Sequence, residues 1–217
     1  MTEPRSKREP LLVGAVGAVV AALFIALFRF RRIGPLDFWA WLAANIVVAL
    51  VLAFAVDRGY ARRLAADLRT GTMRKLALGV ASAAALYSVF AVGRLLALRL
   101  FPFAAGDIAA VYGLKAGAAL PRVVLLIGLI IGPGEELFWR GFFQERTGAT
   151  TRPVAGFVLT AFLYTAVHLA SANLMLVMAA AVCGVFWGAL YLRFRSPLLN
   201  MVSHTLWDLA VFVVFPF

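Results

Sequence analysis

The chain is 217 residues long, 64% hydrophobic and 14% charged, with a formal net charge of +11. A soluble domain is about 45–50% apolar and about 25% charged, so this composition excludes a water-soluble globular fold. The basic excess lies mostly between apolar runs, where it meets lipid headgroups, and nucleic acid is not an expected partner.

The single cysteine, Cys183, excludes an intrachain disulfide and a thiolate metal cluster. Arg dominates over Lys and Ala is abundant, as in a GC-rich bacterial genome, and the expected location is a bacterial inner (plasma) membrane. Residues 1–10 form a charged tail, expected on the cytoplasmic side. Residues 11–217 are expected to form a single transmembrane domain of the all-α class, a multi-pass bundle of about seven helices (six to eight).

The apolar runs follow in order: about Leu11–Phe30, Leu36–Val56, Leu76–Leu100, Pro121–Phe143, Pro153–Leu169, Leu174–Leu192 and Pro197–Phe215. The first is too long for the apolar region of a signal peptide and reads as a retained helix. A basic connection carrying Arg58, Arg62, Arg63, Arg69, Arg74 and Lys75 separates the second run from the third. The more polar stretch Phe101–Leu120 is expected along the membrane interface. Prolines 35, 121, 153 and 197 sit at run starts, where a missing N–H costs nothing. Gly14, Gly17 and Ala21, and Gly184 and Gly188, have the spacing of close helix packing. The Trp and Tyr residues read as interfacial anchors or packing groups. With seven crossings, the tail, 57–75, 146–152 and 193–195 share one side and hold 13 basic residues, against 6 opposite. That asymmetry places the N-terminus inside.

Ionisable groups within a bilayer are costly and mark functional sites. They concentrate in the second half. Glu135, Glu136 and Arg140 lie in Gly-Pro-Gly-Glu-Glu-Leu-Phe-Trp-Arg-Gly, His168 closes the fifth run, and His204 and Asp208 lie in the seventh. Glu136 and Arg140 are i and i+4 and can pair on one helix face, with Glu135 turned about 100° away. His204 and Asp208 are likewise i and i+4. Gly132-Pro133-Gly134 is expected to break the helix and open a polar cavity beside Glu135. Each feature alone has a plain reading, as a helix salt bridge or a polar tie between helices. Together, in three apolar helices, they read as a site.

Glu135-Glu136-x-x-x-Arg140, Tyr164-x-x-x-His168 and His204-x-x-x-Asp208 resemble, in order and spacing, the three motifs of the CAAX protease and bacteriocin-processing (CPBP, or Abi) family of intramembrane glutamic proteases. The resemblance covers about residues 120–212. It departs at Tyr164, where the family usually has Phe, and at Asp208, where it has Asn. It implies an intramembrane endopeptidase acting on membrane-anchored or amphipathic peptide or protein substrates. Glu135 and His168 would activate a water, His204 and Asp208 would face the oxyanion, and Glu136 and Arg140 would brace the site. No cofactor is expected, and a metal held by Glu135, His168 and His204 is the minor alternative.

An ionised Asp is an acceptor and would repel an oxyanion. Either Asp208 is protonated and donates, or it accepts from the His204 ring and leaves the other nitrogen to donate, which is the preferred reading. A third possibility is an impaired site, which would make the chain a non-catalytic scaffold or immunity protein of the same fold. A proton-coupled transporter is a further alternative, with no internal repeat to support it. One tension remains: along their helices His168 falls near one membrane face, His204 near the other and Glu135 between them, yet the chemistry needs all three together.

Overall fold

In the computed structural model, residues 9–217 are described; of the expected tail, residues 1–8 lie outside the described residues. Nearly all of the described chain is helical, as its backbone must be if it is to satisfy its own hydrogen bonds in lipid. The helices are α1 (Glu9–Phe30), α2 (Phe38–Val56), α3 (Tyr60–Arg69), α4 (Thr72–Leu100), α5 (Ala104–Gly113), α6 (120–150), α7 (Pro153–His168, prolonged by a 3-10 turn at Leu169–Ser171), α8 (Leu174–Phe194) and α9 (Pro197–Val214).

Six of these are long and apolar enough to cross a membrane: α1, α2, α4, α7 with its extra turn, α8 and α9. The chain is a multi-pass helical bundle. The remaining apolar run is α6, which is continuous but not uniform. It alternates α turns (Leu120–Leu126, Gly132–Glu136, Glu145–Thr150) with π turns (Ile127–Ile131, Leu137–Gln144). The basic connection contains the short helix α3, and the stretch expected along the interface contains α5.

The helix does not break at Gly132-Pro133-Gly134, contrary to the sequence expectation. Pro133 has no N–H to give, and the backbone instead widens into a π turn whose last bond runs from Gly132 N–H to Ile127 C=O. The glycines serve packing. A side chain on Gly132 would collide with Thr205 of α9, and one on Gly134 with Ile46 of α2. Pro121, Pro153 and Pro197 stand in the first turn of their helices, whereas Pro35 precedes Asp37, the N-cap of α2. All five Trp residues are buried, so they pack the interior rather than anchor an interface.

α7 and α8 pack along each other, α9 packs on α4 and α6, and α1 lies against α2 and α7. α4 and α8 have no extensive contact with each other, and α5 touches both. One end of the bundle is tied by polar pairs: Glu9 with Arg146, Asp57 with Arg63 (2.5 Å), Glu145 with Arg195 (3.1 Å), and Asp67 with Lys75 (2.5 Å). Asp67 also accepts from Ser196 Oγ and the Leu198 amide, fastening α3 to the start of α9. These contacts gather at one end the segments that the basic-residue count assigned to one side. At the other end Asp37 caps α2 through the Ala40 amide (3.0 Å) and pairs with Arg122 of α6. Partial burial opposes ionisation of Asp37, but the Ala40 amide and Arg122 prevail and hold its carboxyl below its ordinary value.

Candidate active site

Two adjacent glutamates, Glu135 and Glu136, leave α6 in different directions, and each has its own surroundings. Glu136 is wholly buried. Its Oε1 accepts from Arg140 Nη1 (2.7 Å) and faces His204 Nδ1 (2.7 Å), and its Oε2 accepts from Asn200 Nδ2 (2.9 Å). The i,i+4 pair read from the sequence is therefore present, and α9 supplies two further partners. A buried carboxylate needs this degree of satisfaction, since desolvation outweighs a single ion pair. Arg140 is also wholly buried; it donates to the Cys183 carbonyl (3.4 Å) and lies over the rings of Tyr164 (4.8 Å) and Trp187 (5.6 Å).

Among the described residues Glu135 has a single side-chain hydrogen-bond partner, the hydroxyl of Tyr164, which donates to Oε2 at 3.0 Å. It borders a cavity of about 440 Å³. Tyr164, His168, His204 and Asp208 border the same cavity, while Glu136 and Arg140 do not. The cavity lies between α4 and α8, with residues of α5 such as Ile108 and Val111 along its wall, and its lining is mainly apolar. Its size falls within the common range for ligand clefts.

The depth mismatch is resolved by helix lengths. α6 and α7 are joined by a short turn, and Glu135 and His168 lie equally far along the chain on its two sides, 15 residues before 150 and 15 after 153. Equal rise along antiparallel helices brings them level. Likewise Trp187 and His204 lie seven residues on either side of the α8–α9 turn, and their rings stack at 3.7 Å. α7 is short, so its end falls at the cavity rather than at the far face.

The ring environments fix proton positions. His168 Nδ1 lies 2.7 Å from the Tyr164 carbonyl, which can only accept, so Nδ1 carries the proton and Nε2 keeps a lone pair. His204 Nδ1 faces the Glu136 carboxylate, so it too carries a proton. Its Nε2 lies 3.4 Å from Asp208 Oδ2. The preferred sequence reading gave Asp208 the task of fixing the His204 tautomer. That task belongs to Glu136 in the structure. A lone pair on Nε2 would repel an ionised Asp208, so this contact calls for one proton shared between Nε2 and the Asp208 carboxyl.

Sequence reasoning missed three neighbours of this site. Tyr164 was read only as a motif position, yet its hydroxyl is the partner of Glu135. Asn200 sits one turn before His204 and joins Glu136 to the Trp187 carbonyl (2.9 Å). Arg94, well inside α4, borders the cavity. Arg94 and Asn200 were legible as polar residues within apolar runs, whereas nothing in the sequence distinguished the Trp187 stacking surface. Among the described residues, no cluster of three or more His, Cys, Asp or Glu side chains is arranged to hold a metal ion.

Fold and site together define a multi-pass membrane protein whose second half carries a polar cluster against an apolar cavity. Residues 117–210 match the family model described as Type II CAAX prenyl endopeptidase Rce1-like, in agreement with the resemblance carried by the three motifs. The match spans Glu135, Glu136, Arg140, His168, His204 and Asp208 and leaves out α1–α5. Neither a curated protein nor a solved structure matches the chain.

Proposed function

We propose that this protein is an intramembrane endopeptidase that hydrolyses peptide bonds of membrane-anchored or amphipathic substrates with a directly activated water. The observation that carries this reading is the meeting of Glu135, His168, His204 and Asp208, from three helices, at one cavity. A water attacking an amide needs a base within hydrogen-bond reach. Glu135 takes the water proton, with His168 Nε2 as the second acceptor that orients it. The hydroxide oxygen adds to the carbonyl carbon. The resulting oxyanion faces the proton held between His204 and Asp208, a donor already in place before reaction. Glu135 then returns its proton to the amide nitrogen, the C–N bond breaks, and a carboxylic acid and an amine leave.

Glu136 and Arg140 act through position. They hold His204 and pack against Tyr164, which in turn holds Glu135. The chemistry requires no cofactor. Substrates enter from lipid between α4 and α8, where the helices do not close on each other. The site is expected in the inner membrane of a bacterial cell, with the N-terminus cytoplasmic.

The test is cleavage by the purified full chain in lipid vesicles supplied with a membrane peptide extract, read by mass spectrometry. Wild type is expected to generate new termini, and Glu135→Gln to lose them by roughly 10²–10⁴-fold, the ordinary worth of a general base. Equal cleavage by both proteins would overturn the reading, and no cleavage by either would favour a non-catalytic scaffold of the same fold.

A further inference from the structure

The cavity has a cationic member that the cluster above does not use. Arg94 lies in α4, six residues before its end, within the run Leu86–Leu100. It is half-buried and borders the cavity together with Glu135 and His168. Its Nε is shielded from solvent and has no hydrogen-bond partner among the described residues. The two carboxylates that border the same cavity are engaged elsewhere, Glu135 with Tyr164 and Asp208 with His204. A guanidinium at membrane depth is costly without a counter-charge. The remaining wall near it is apolar or aromatic, including Phe90, Ala97, Phe101 and Tyr112.

We propose that Arg94 binds a carboxylate of the substrate peptide and so determines which peptides the cavity accepts. This deepens the endopeptidase reading and rests on it for the word substrate, but the carboxylate site itself does not depend on hydrolysis. Arg presents a planar fork that matches a carboxylate with two parallel hydrogen bonds. The cavity is too small for a folded chain and suits a short extended segment. Its apolar wall takes the side chains and Arg94 takes the charge. The carboxylate comes either from the peptide's C-terminus or from an internal Asp or Glu, and the two sources are separable by experiment. A lipid phosphate is the competing anion. The site disfavours it because Arg94 Nε is shielded from solvent and Arg94 borders the same cavity as Glu135 and His168.

Binding is measured on the full-length Glu135→Gln protein in phosphatidylcholine vesicles, by energy transfer from its Trp residues to dansyl peptides. The probes are dansyl-Leu-Ala-Leu-Ala as the free acid, the same peptide as the C-terminal amide, and dansyl-Leu-Asp-Leu-Ala amide. The acid is expected to bind about tenfold tighter than the amide, the scale of a charge-assisted pair. Arg94→Gln is expected to abolish that preference while leaving amide binding unchanged, which also reports an intact fold. Arg94→Lys is expected to restore part of it. Tight binding of the Asp-containing amide assigns an internal carboxylate, and its failure assigns the terminal one. Failure of both carboxylate-bearing probes to bind tighter than the neutral amide, or a carboxylate preference that survives Arg94→Gln, overturns the proposal. So does a protein in which Arg94 affects only the dependence on anionic lipid. A wild type that cleaves without any acid preference removes the carboxylate site alone. A preference without cleavage removes the endopeptidase reading alone.

Discussion

The two faces of α6 carry adjacent glutamates and opposite designs. On one face Glu136 is sealed: both carboxylate oxygens are bonded, to Arg140, His204 and Asn200, and nothing of it reaches solvent. On the other, Glu135 has one partner and open space beside it. A side chain that is fully satisfied has no capacity left for a substrate, whereas one held by a single bond can exchange a proton and still keep its place. A rotation of about 100° between neighbouring helix positions thus separates the glutamate sealed among polar partners from the glutamate that borders the cavity. The π turns on either side of Gly132–Glu136 contribute to this separation, because they displace the helix from the regular register just where the two faces meet different partners.

The contrast can be broken first at the sealed face. Arg140→Leu leaves Glu136 buried with no guanidinium, and a severed buried pair costs about 3–5 kcal/mol. The expected outcome is a protein that melts well below wild type in detergent or fails to purify as a single species, measured by thermal unfolding. Tyr164→Phe tests the open face. It removes the one bond to Glu135 and keeps the ring beneath Arg140, so cleavage is expected to fall by roughly tenfold, the worth of a hydrogen bond to a charged group, with little change in melting. Its readout is the initial cleavage rate.

Asp208→Asn sharpens the comparison at the junction of the two faces. On the proposed mechanism, wild-type cleavage uses the proton shared by His204 Nε2 and Asp208 and is expected to decline as pH rises and that proton is lost. Asn supplies an N–H that does not titrate. The alkaline decline is therefore expected to flatten, with a change of less than about tenfold at neutral pH, checked by a pH–rate profile.

The smallest effect is expected far from both faces. Asp37→Ala removes the cap of α2 and the pair with Arg122, at a cost of no more than about 1 kcal/mol at this partly exposed position. Because the Asp37 carboxyl is held below its ordinary value in the folded chain, this contribution is present above the ordinary carboxylate pKa. It is lost as pH falls through the depressed value, so the wild type and Asp37→Ala melting curves are expected to converge in acid.

The sequence made the transmembrane class legible because six helices leave long apolar runs, and it made the site residues legible because charge inside such runs is conspicuous. Uncharged polar groups do not stand out in the same way. Asn200 was visible as a polar residue in an apolar run, but its role and that of the Tyr164 hydroxyl are set by partners that only the fold brings near. Arg94 lies near enough to the end of its run to resemble a side chain reaching for the interface. The π turns were hidden because hydropathy reports which residues are apolar and says nothing of the hydrogen-bond register. Gly132-Pro133-Gly134 reads as a break by local chemistry, yet Thr205 and Ile46 pack against the glycines and hold the helix together. The role of Asp208 depended on which side of His204 Glu136 would occupy, a tertiary fact that no spacing within α9 contains.

The central claim is that Glu135 reacts and Glu136 supports. The most direct test measures Glu135→Gln and Glu136→Gln side by side, each for cleavage of a membrane peptide extract and for thermal unfolding. The account predicts that Glu135→Gln unfolds like wild type and cleaves roughly 10²–10⁴-fold more slowly, while Glu136→Gln unfolds at clearly lower temperature. A Glu135→Gln protein that cleaves at the wild-type rate, or a Glu136→Gln protein that loses cleavage while unfolding at the wild-type temperature, would contradict it.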